Sequence, residues 1–397
     1  MTYLYTALGF MALIVLHEAG HFVAAKATGM RVERFSLFFG RPLVALRRGE
    51  TEYGVGWLPA GGYVKITGMN PHERLPEEEE LEQLEGELRA PSAGGSEPAA
   101  ASASEARIAE LRERIADIRR RAYYNQPVWK RIVVILAGPG VNLLIAFAVL
   151  FAIFSTHPIY PISTTVGALE RGQPASRYLR PGDRIVAVDG HRDPTYREVE
   201  RLVDQHRCAG AQVGGCRAAT PVAITVRRDG RLERFSIRPR YDAQVGRMLL
   251  GFVFAQRAKQ LSVAGAASYS GSEMWSVTTR TVSAIARIFE PKERRQLHSV
   301  VGVVAITSQE FSFSAVDAFF TLALISLALA IVNLFPFLPL DGGHVFWALA
   351  EKLRGRRISF QTMERAGIVG FALIILLFAV GVSNDISTLT SGGFNIR

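Results

Sequence analysis

IVLHEAGHFVAA, residues 14–25, sets two histidines and a glutamate inside an otherwise apolar run near the start of the chain. On a helix, His17 and His21 stand about 6 Å apart along the axis and about 40° around it, so both imidazoles leave one face. That spacing suits one zinc ion about 2.0 Å from each nitrogen, with Glu18 between them placed to serve as a general base on water. In a soluble helix such a pattern often arises by chance, and a structural histidine pair would be the ordinary reading. Inside hydrocarbon the balance shifts, because three unpartnered ionisable groups would disfavour insertion by several kcal/mol. The segment therefore predicts a membrane span that carries part of a metal site.

The surroundings agree with a membrane protein. The 397 residues are 49% hydrophobic, more than a soluble chain of this length needs. Four stretches can cross ~30 Å of hydrocarbon: 3–25, 132–154, 315–335 and a shorter one at 366–382. The first lacks the basic start and small-residue cleavage site of a signal peptide, so it is kept as a span. The formal charge of +10 forms no stripe or motif for nucleic acid, and none is expected as a partner. Many basic residues flank the spans: Lys26, Arg31, Arg34, Arg41, Arg47 and Arg48, then Lys130 and Arg131, then Lys352, Arg354, Arg356 and Arg357. The positive-inside rule puts those loops in the cytoplasm and both termini outside. Lys26 lies nine residues after His17, about 13 Å along a helix, so the metal would sit within the membrane toward its cytoplasmic side.

A catalytic zinc uses three protein ligands and leaves one position open. The third must come from the same depth on another span. Span three ends in NLFPFLPLDGGH, residues 333–344, where two prolines and two glycines break the helix around Asp341. Asp341 is the preferred ligand, with His344 as competitor and an ordinary helix cap as the plain alternative. Span two carries GPGVN, residues 138–142, which puts Asn142 in hydrocarbon. Its amide could bond freed backbone or a substrate carbonyl, and packing of small residues is the competing explanation. Asn333 poses the same choice.

Four further regions complete the plan. Residues 31–71, rich in aromatics, valine and glycine with a turn at Arg48-Gly49, read as short strands against or within the membrane. Residues 72–122 are a polar cytosolic insert, with a low-complexity middle and a helix bearing Ile108, Leu111, Ile115 and Ile118 at helical spacing. Residues 160–240 form an extracytoplasmic α+β module, with a hairpin at Asp229-Gly230 and a short helix from Tyr196. It contains Cys208 and Cys216, which on the oxidising side could pair or remain two buried thiols. Residues 255–312 predict amphipathic helices lying at the outer surface, with Val263, Met274, Trp275, Val277, Val282, Ile285, Ile288 and Phe289 among Ser, Thr and Arg. The expected boundaries are 1–30, 31–71, 72–122, 123–156, 160–240, 255–312, 313–345, 346–364, 365–383 and 384–397.

Two resemblances sharpen this plan. GALERGQPASRYLRPGDRIVAVDG, residues 167–190, resembles a PDZ domain, which implies a groove that takes extended peptide or a body that filters substrates by size. HEAGH, GPGVN, NLFPFLPLDGGH and LPAGGYVKITGM, in that order and topology, resemble the site-2 protease family of intramembrane zinc metalloproteases, in its bacterial branch with a PDZ insert. The resemblance implies a polytopic α-helical membrane fold with one zinc on His17, His21 and Asp341, and Glu18 as catalytic base. It implies a membrane-associated β element around Gly61, Gly62 and Tyr63 that presents an edge to extended substrate, and a substrate-binding role for Asn333. The implied activity is the second cut of a single-span membrane protein, typically an anti-sigma factor, in the cytoplasmic membrane. Some relatives carry tandem PDZ domains, and this chain has room for one.

Overall fold

The computed structural model describes residues 2–70, 74–89, 98–243, 245–287 and 314–390, which fall into two compact units. The first comprises residues 1–153 and 267–397, the second 154–266. Helix α1 (Thr2–Ala27) leads into strands β1 (Val32–Arg48) and β2 (Thr51–Ile66), then helices α2 (Pro76–Arg89) and α3 (Pro98–Arg121). A 3-10 turn at Tyr123–Asn125 precedes α4 (Val128–Thr156). The second unit holds β3 (Ile162–Leu169), β4 (Arg184–Val188), β5 (His191–Arg192), α5 (Tyr196–Gln205), β6 (Val222–Arg228), β7 (Arg231–Ile237), β8 (Arg240–Asp242), β9 (Arg247–Leu249) and β10 (Phe252–Gln256). Helices α6 (Val263–Ala286), α7 (Ala315–Asn333), α8 (Asp341–Arg354) and α9 (Phe360–Thr390) follow.

Four helices are long and apolar enough to cross a membrane: Leu4–Ala27, Val128–Thr156, Ala315–Asn333 and Gln361–Ile386. Each contains or overlaps an expected span. The fourth is longer than the sequence indicated, because its polar ends at Gln361 and Asp385 continue the same helix.

The β1–β2 ribbon is folded back on itself. Residues 32–37 pair with 62–66 on one side and 52–55 on the other, while 42–48 pair with 51–56. Four ribbons result, in the order 42–48, 51–56, 32–37, 62–66. Phe38 and Gly40, with φ of 71° and 91°, turn the chain between the two halves of β1. The sequence placed a substrate-binding edge anywhere from Tyr53 to Ile66; the fold-back corrects this, because it covers 51–56 and leaves 62–66 as an edge. Tyr53 meets Phe22 of α1 edge to face and lies tilted against Phe35, so the sheet packs onto the first span. At the opposite edge Leu43, Val44 and Leu46 are 68–72% exposed, an apolar surface of the kind hydrocarbon would cover.

The polar insert forms an antiparallel pair of helices. Ile108, Leu111 and Ile118 of α3 are buried, and arginines of α3 reach acidic residues of α2: Arg107 to Glu80, Arg112 to Glu85 and Arg119 to Glu78. Helix α2 was not foreseen, since its PEEEELEQLEGEL sequence offers only leucines as an apolar face.

Helix α6 corrects the expectation of a helix lying at the outer surface. Met274 and Val277 pack against Ala146 of α4 and Leu327 and Ile331 of α7, so this helix runs alongside two spans. Its hydroxyls made the sequence look too polar for that place. They bond back to their own helix: Thr278 Oγ1 donates to Met274 O at 2.7 Å, Ser272 Oγ to Tyr269 O at 2.8 Å and Thr279 Oγ1 to Ser276 O at 2.9 Å. Ile288, Phe289 and the rest of 288–313 lie outside the described residues, as do 391–397 of the tail.

In the second unit the sheet order is β10-β3-β4-β6-β7, with β5 on β4. Val166, Ile185, Val188, Ile224, Val226 and Ile237 fill its core with Val199, Leu202 and Val203 of α5. The β6–β7 turn uses Asp229 and Gly230 with φ of 47° and 82°, the paired left-handed conformations that a two-residue hairpin needs. A groove runs between α5 and β10, lined by Tyr196, Val199, Val203, Leu250, Phe252 and Phe254. Cys208 and Cys216 are joined by a disulfide.

Candidate active site

Helix α1 carries His17 and His21 on its inner face, each 7% exposed. Asp341 arrives from the other end of the chain as the first residue of α8, where free backbone N–H groups favour a carboxylate. The chain reaches it from α7 through an irregular segment, 334–340, that includes the two prolines. His17 Nε2 and His21 Nε2 lie 3.2 Å apart, and Asp341 Oδ2 lies 3.2 Å from the first and 3.3 Å from the second. Among the described residues these three form the group able to share one metal ion. His344 instead faces a cavity lined by Arg131, Trp347 and Leu338.

The triangle fits zinc. Ligands about 2.0 Å from a tetrahedral centre stand about 3.3 Å from one another, the spacing found here. Asp341 Oδ2 is buried and has no hydrogen-bond partner, although two imidazole nitrogens face it. A cation between the three atoms would satisfy all of them. His21 is already set for that role: its Nδ1 donates to Val134 O at 2.9 Å, which leaves the Nε2 lone pair free.

Backbone contact between α1 and α4 makes this geometry reachable. A Cβ on Gly138 would stand 2.3 Å from His21 Nε2, and one on Gly20 would stand 2.6 Å from Ala137 O. Only glycine at these positions lets the two helices touch and the imidazole lie across α4. Next to Gly138, Pro139 removes one intrahelical N–H within α4.

Glu18 is half-buried beside the two histidines and faces the sheet. A Cβ on Gly62 would lie 3.2 Å from Glu18 Cγ, and the Val64 backbone N–H donates to the Glu18 carboxylate. In an antiparallel ladder a residue whose N–H points outward leaves the edge free at that position. The 62–66 edge thus runs past Glu18. Gly61 and Tyr63 flank it, with Tyr63 stacked on Phe39 and accepting from Arg34 Nη1 at 3.1 Å. Asn333 ends α7 and is half-buried. Asn142 is fully buried, and its amide lies 3.1 Å from His17 Nδ1.

The Val134 carbonyl and the Val64 amide escaped sequence reasoning, since backbone groups carry no residue signature. Gly138 and Gly20 did carry one, a small residue on each of two crossing helices.

The profile of peptidase family M50, the site-2 proteases, matches residues 5–377. The chain belongs to this family. Curated proteins similar to it include a putative zinc metalloprotease of Brucella suis, 25% identical over 94% of this chain and 92% of the relative. The metalloprotease MmpA of Caulobacter vibrioides is likewise 25% identical over 94% and 92%. The regulator of sigma-W protease RasP of Bacillus subtilis is 23% identical over 96% and 97%. As a family M50 peptidase with four apolar helices, the chain is a multi-pass membrane metalloprotease.

Proposed function

We propose that this enzyme cuts a single-span membrane protein within the bilayer, with one zinc held by His17, His21 and Asp341 and with Glu18 as general base. The observation that carries the reading is the convergence of three ligand atoms at 3.2–3.3 Å beside a glutamate that faces a strand edge. Zinc, when bound, supplies Lewis acidity to water and to the scissile carbonyl, lowering the pKa of the water toward ~7. Glu18 takes the proton from the attacking water and returns it to the departing amine. The 62–66 edge, with Gly61, Gly62 and Tyr63, holds the unwound substrate by strand addition, and Asn333 bonds its exposed backbone.

The second unit is read as one extracytoplasmic PDZ domain. Supporting this are the groove between α5 and β10, which suits an extended peptide, and the Cys208–Cys216 disulfide, which suits an oxidising compartment. Basic loops around Lys26, Lys130 and Lys352 then face the cytoplasm, both termini face outward, and the zinc lies toward the cytoplasmic side of the cell membrane. Bacillus RasP is named for sigma-W regulation, which favours an anti-sigma factor as substrate.

Co-expression with a tagged single-span anti-sigma factor tests the reading. Wild type should yield the shortened fragment, and Glu18→Gln should keep zinc and fold but yield none. Cleavage by Glu18→Gln at the wild-type rate would remove Glu18 as base.

A further inference from the structure

Both zinc-directed imidazoles need something at Nδ1. A histidine that gives its Nε2 lone pair to a metal keeps its proton on Nδ1, and that proton needs an acceptor. For His21 the acceptor is Val134 O. For His17 the neighbour at Nδ1 is the Asn142 amide, placed with Nδ2 3.1 Å away and with Oδ1 buried and unpartnered. In that orientation Nδ2 donates to Nδ1 and drives the His17 proton onto Nε2, the atom turned toward His21 and Asp341. A half-turn of the amide leaves its shape unchanged and brings Oδ1 to His17 Nδ1.

We propose that Asn142 is a positioning residue for the zinc ligand His17, accepting a hydrogen bond from Nδ1–H through Oδ1, rather than a contact to substrate. The inference rests on the zinc reading above. Asn142 is 0% exposed, so its side chain does not line an open cleft. Ser326 Oγ of α7, also fully buried, donates to the Asn142 carbonyl at 2.9 Å and fixes this point of α4 from the other side. Helix α4 thereby supplies no ligand and yet orients two, one through the backbone at Val134 and one through a side chain at Asn142. Both acceptors are neutral amide-type oxygens, which hold the imidazoles in one tautomer without adding a second buried charge beside Asp341.

The test uses the purified full-length protein in detergent, carrying Glu18→Gln so that affinity is read without turnover. Zinc affinity is measured by competition with a chromophoric chelator. Asn142→Leu, close in volume but without an acceptor, should bind zinc about 10–100-fold more weakly. Asn142→Asp, which can only accept, should bind at least as tightly as asparagine, and its cobalt-substituted form should show shifted d–d absorption bands. Equal zinc affinity in Asn142→Leu would overturn the inference, and equal affinity together with a raised KM for Asn142→Leu made in the protein that keeps Glu18 would return Asn142 to substrate binding. Should Asn142→Leu fail to fold, Asn142→Asp decides alone: about tenfold weaker zinc binding there would overturn the inference. Zinc binding no stronger in the asparagine protein than in His17→Ala would instead overturn the zinc reading itself.

Discussion

Gly138 has no side chain, and the His21 imidazole occupies the space that one would need. A methyl group there would meet Nε2 at 2.3 Å, and α4 cannot back away without losing the Val134 carbonyl that orients the same ring. Gly138→Ala is therefore expected to leave less than about a tenth of the zinc in purified protein, as outer-shell and steric losses act together. Elemental analysis after dialysis checks this; full occupancy would show that the crossing can relax. Val64 gives a complementary case. Its backbone N–H is turned to the Glu18 carboxylate, so Val64→Pro removes that donor. Cleavage should fall about tenfold or more while zinc content holds. Zinc lost in parallel with cleavage would mean that the proline had disturbed the metal site itself.

Among the elements, the α2–α3 pair ties the polar insert to the sheet beside Glu18. Glu50, at the turn joining β1 to β2, accepts from Arg121 at the end of α3 at 2.7 and 2.8 Å and from Lys26 at the end of α1 at 2.7 Å. The Arg121 guanidinium first, and then the Lys26 ammonium, hold the Glu50 carboxyl at about 2. An unfolded chain would place it near ~4.3. Such a group contributes its stabilisation above the unfolded value and loses it as the pH falls through about 2. The dock should therefore be unchanged between about pH 7 and pH 5.5 and weakened by Glu50→Gln throughout that range, by about 1 kcal/mol for a partly exposed cluster. Amide exchange across α3 measures this, and protection lost on mild acidification in the wild type would count against it. The elements also show where the sequence was readable. The spans and the β6–β7 hairpin follow from local pattern, since unbroken apolar runs and a period of two allow few other structures. The fold-back of β1 and the packing of α6 on α4 and α7 depend on distant partners: 42–48 covers 51–56, and Met274 and Val277 meet Ala146, Leu327 and Ile331.

At the scale of the whole molecule, the convergence of His17, His21 and Asp341 could be anticipated because unpartnered ionisable groups are costly in hydrocarbon, which singled out the two histidines and a carboxylate at a helix break. The site's outer supports were not readable, because Val134 acts through its carbonyl and Asn142 through a tautomer. The arrangement of compartments has its own test. With Cys208 and Cys216 paired and outside, a membrane-impermeant maleimide should label no cysteine in intact cells, and should label both after reduction with an impermeant phosphine. Labelling without reduction would break the pair, and labelling only after the membrane is opened would reverse the orientation.

The metal-directed side chains stand far apart along the chain: residues 17 and 21 are synthesised long before residue 341. A nascent chain that stops short of α8 holds two histidines and a base with no third ligand. With the zinc on His17, His21 and Asp341, synthesis would be its own safety catch, and a copy ending at residue 340 is expected to add no cutting activity to the membrane.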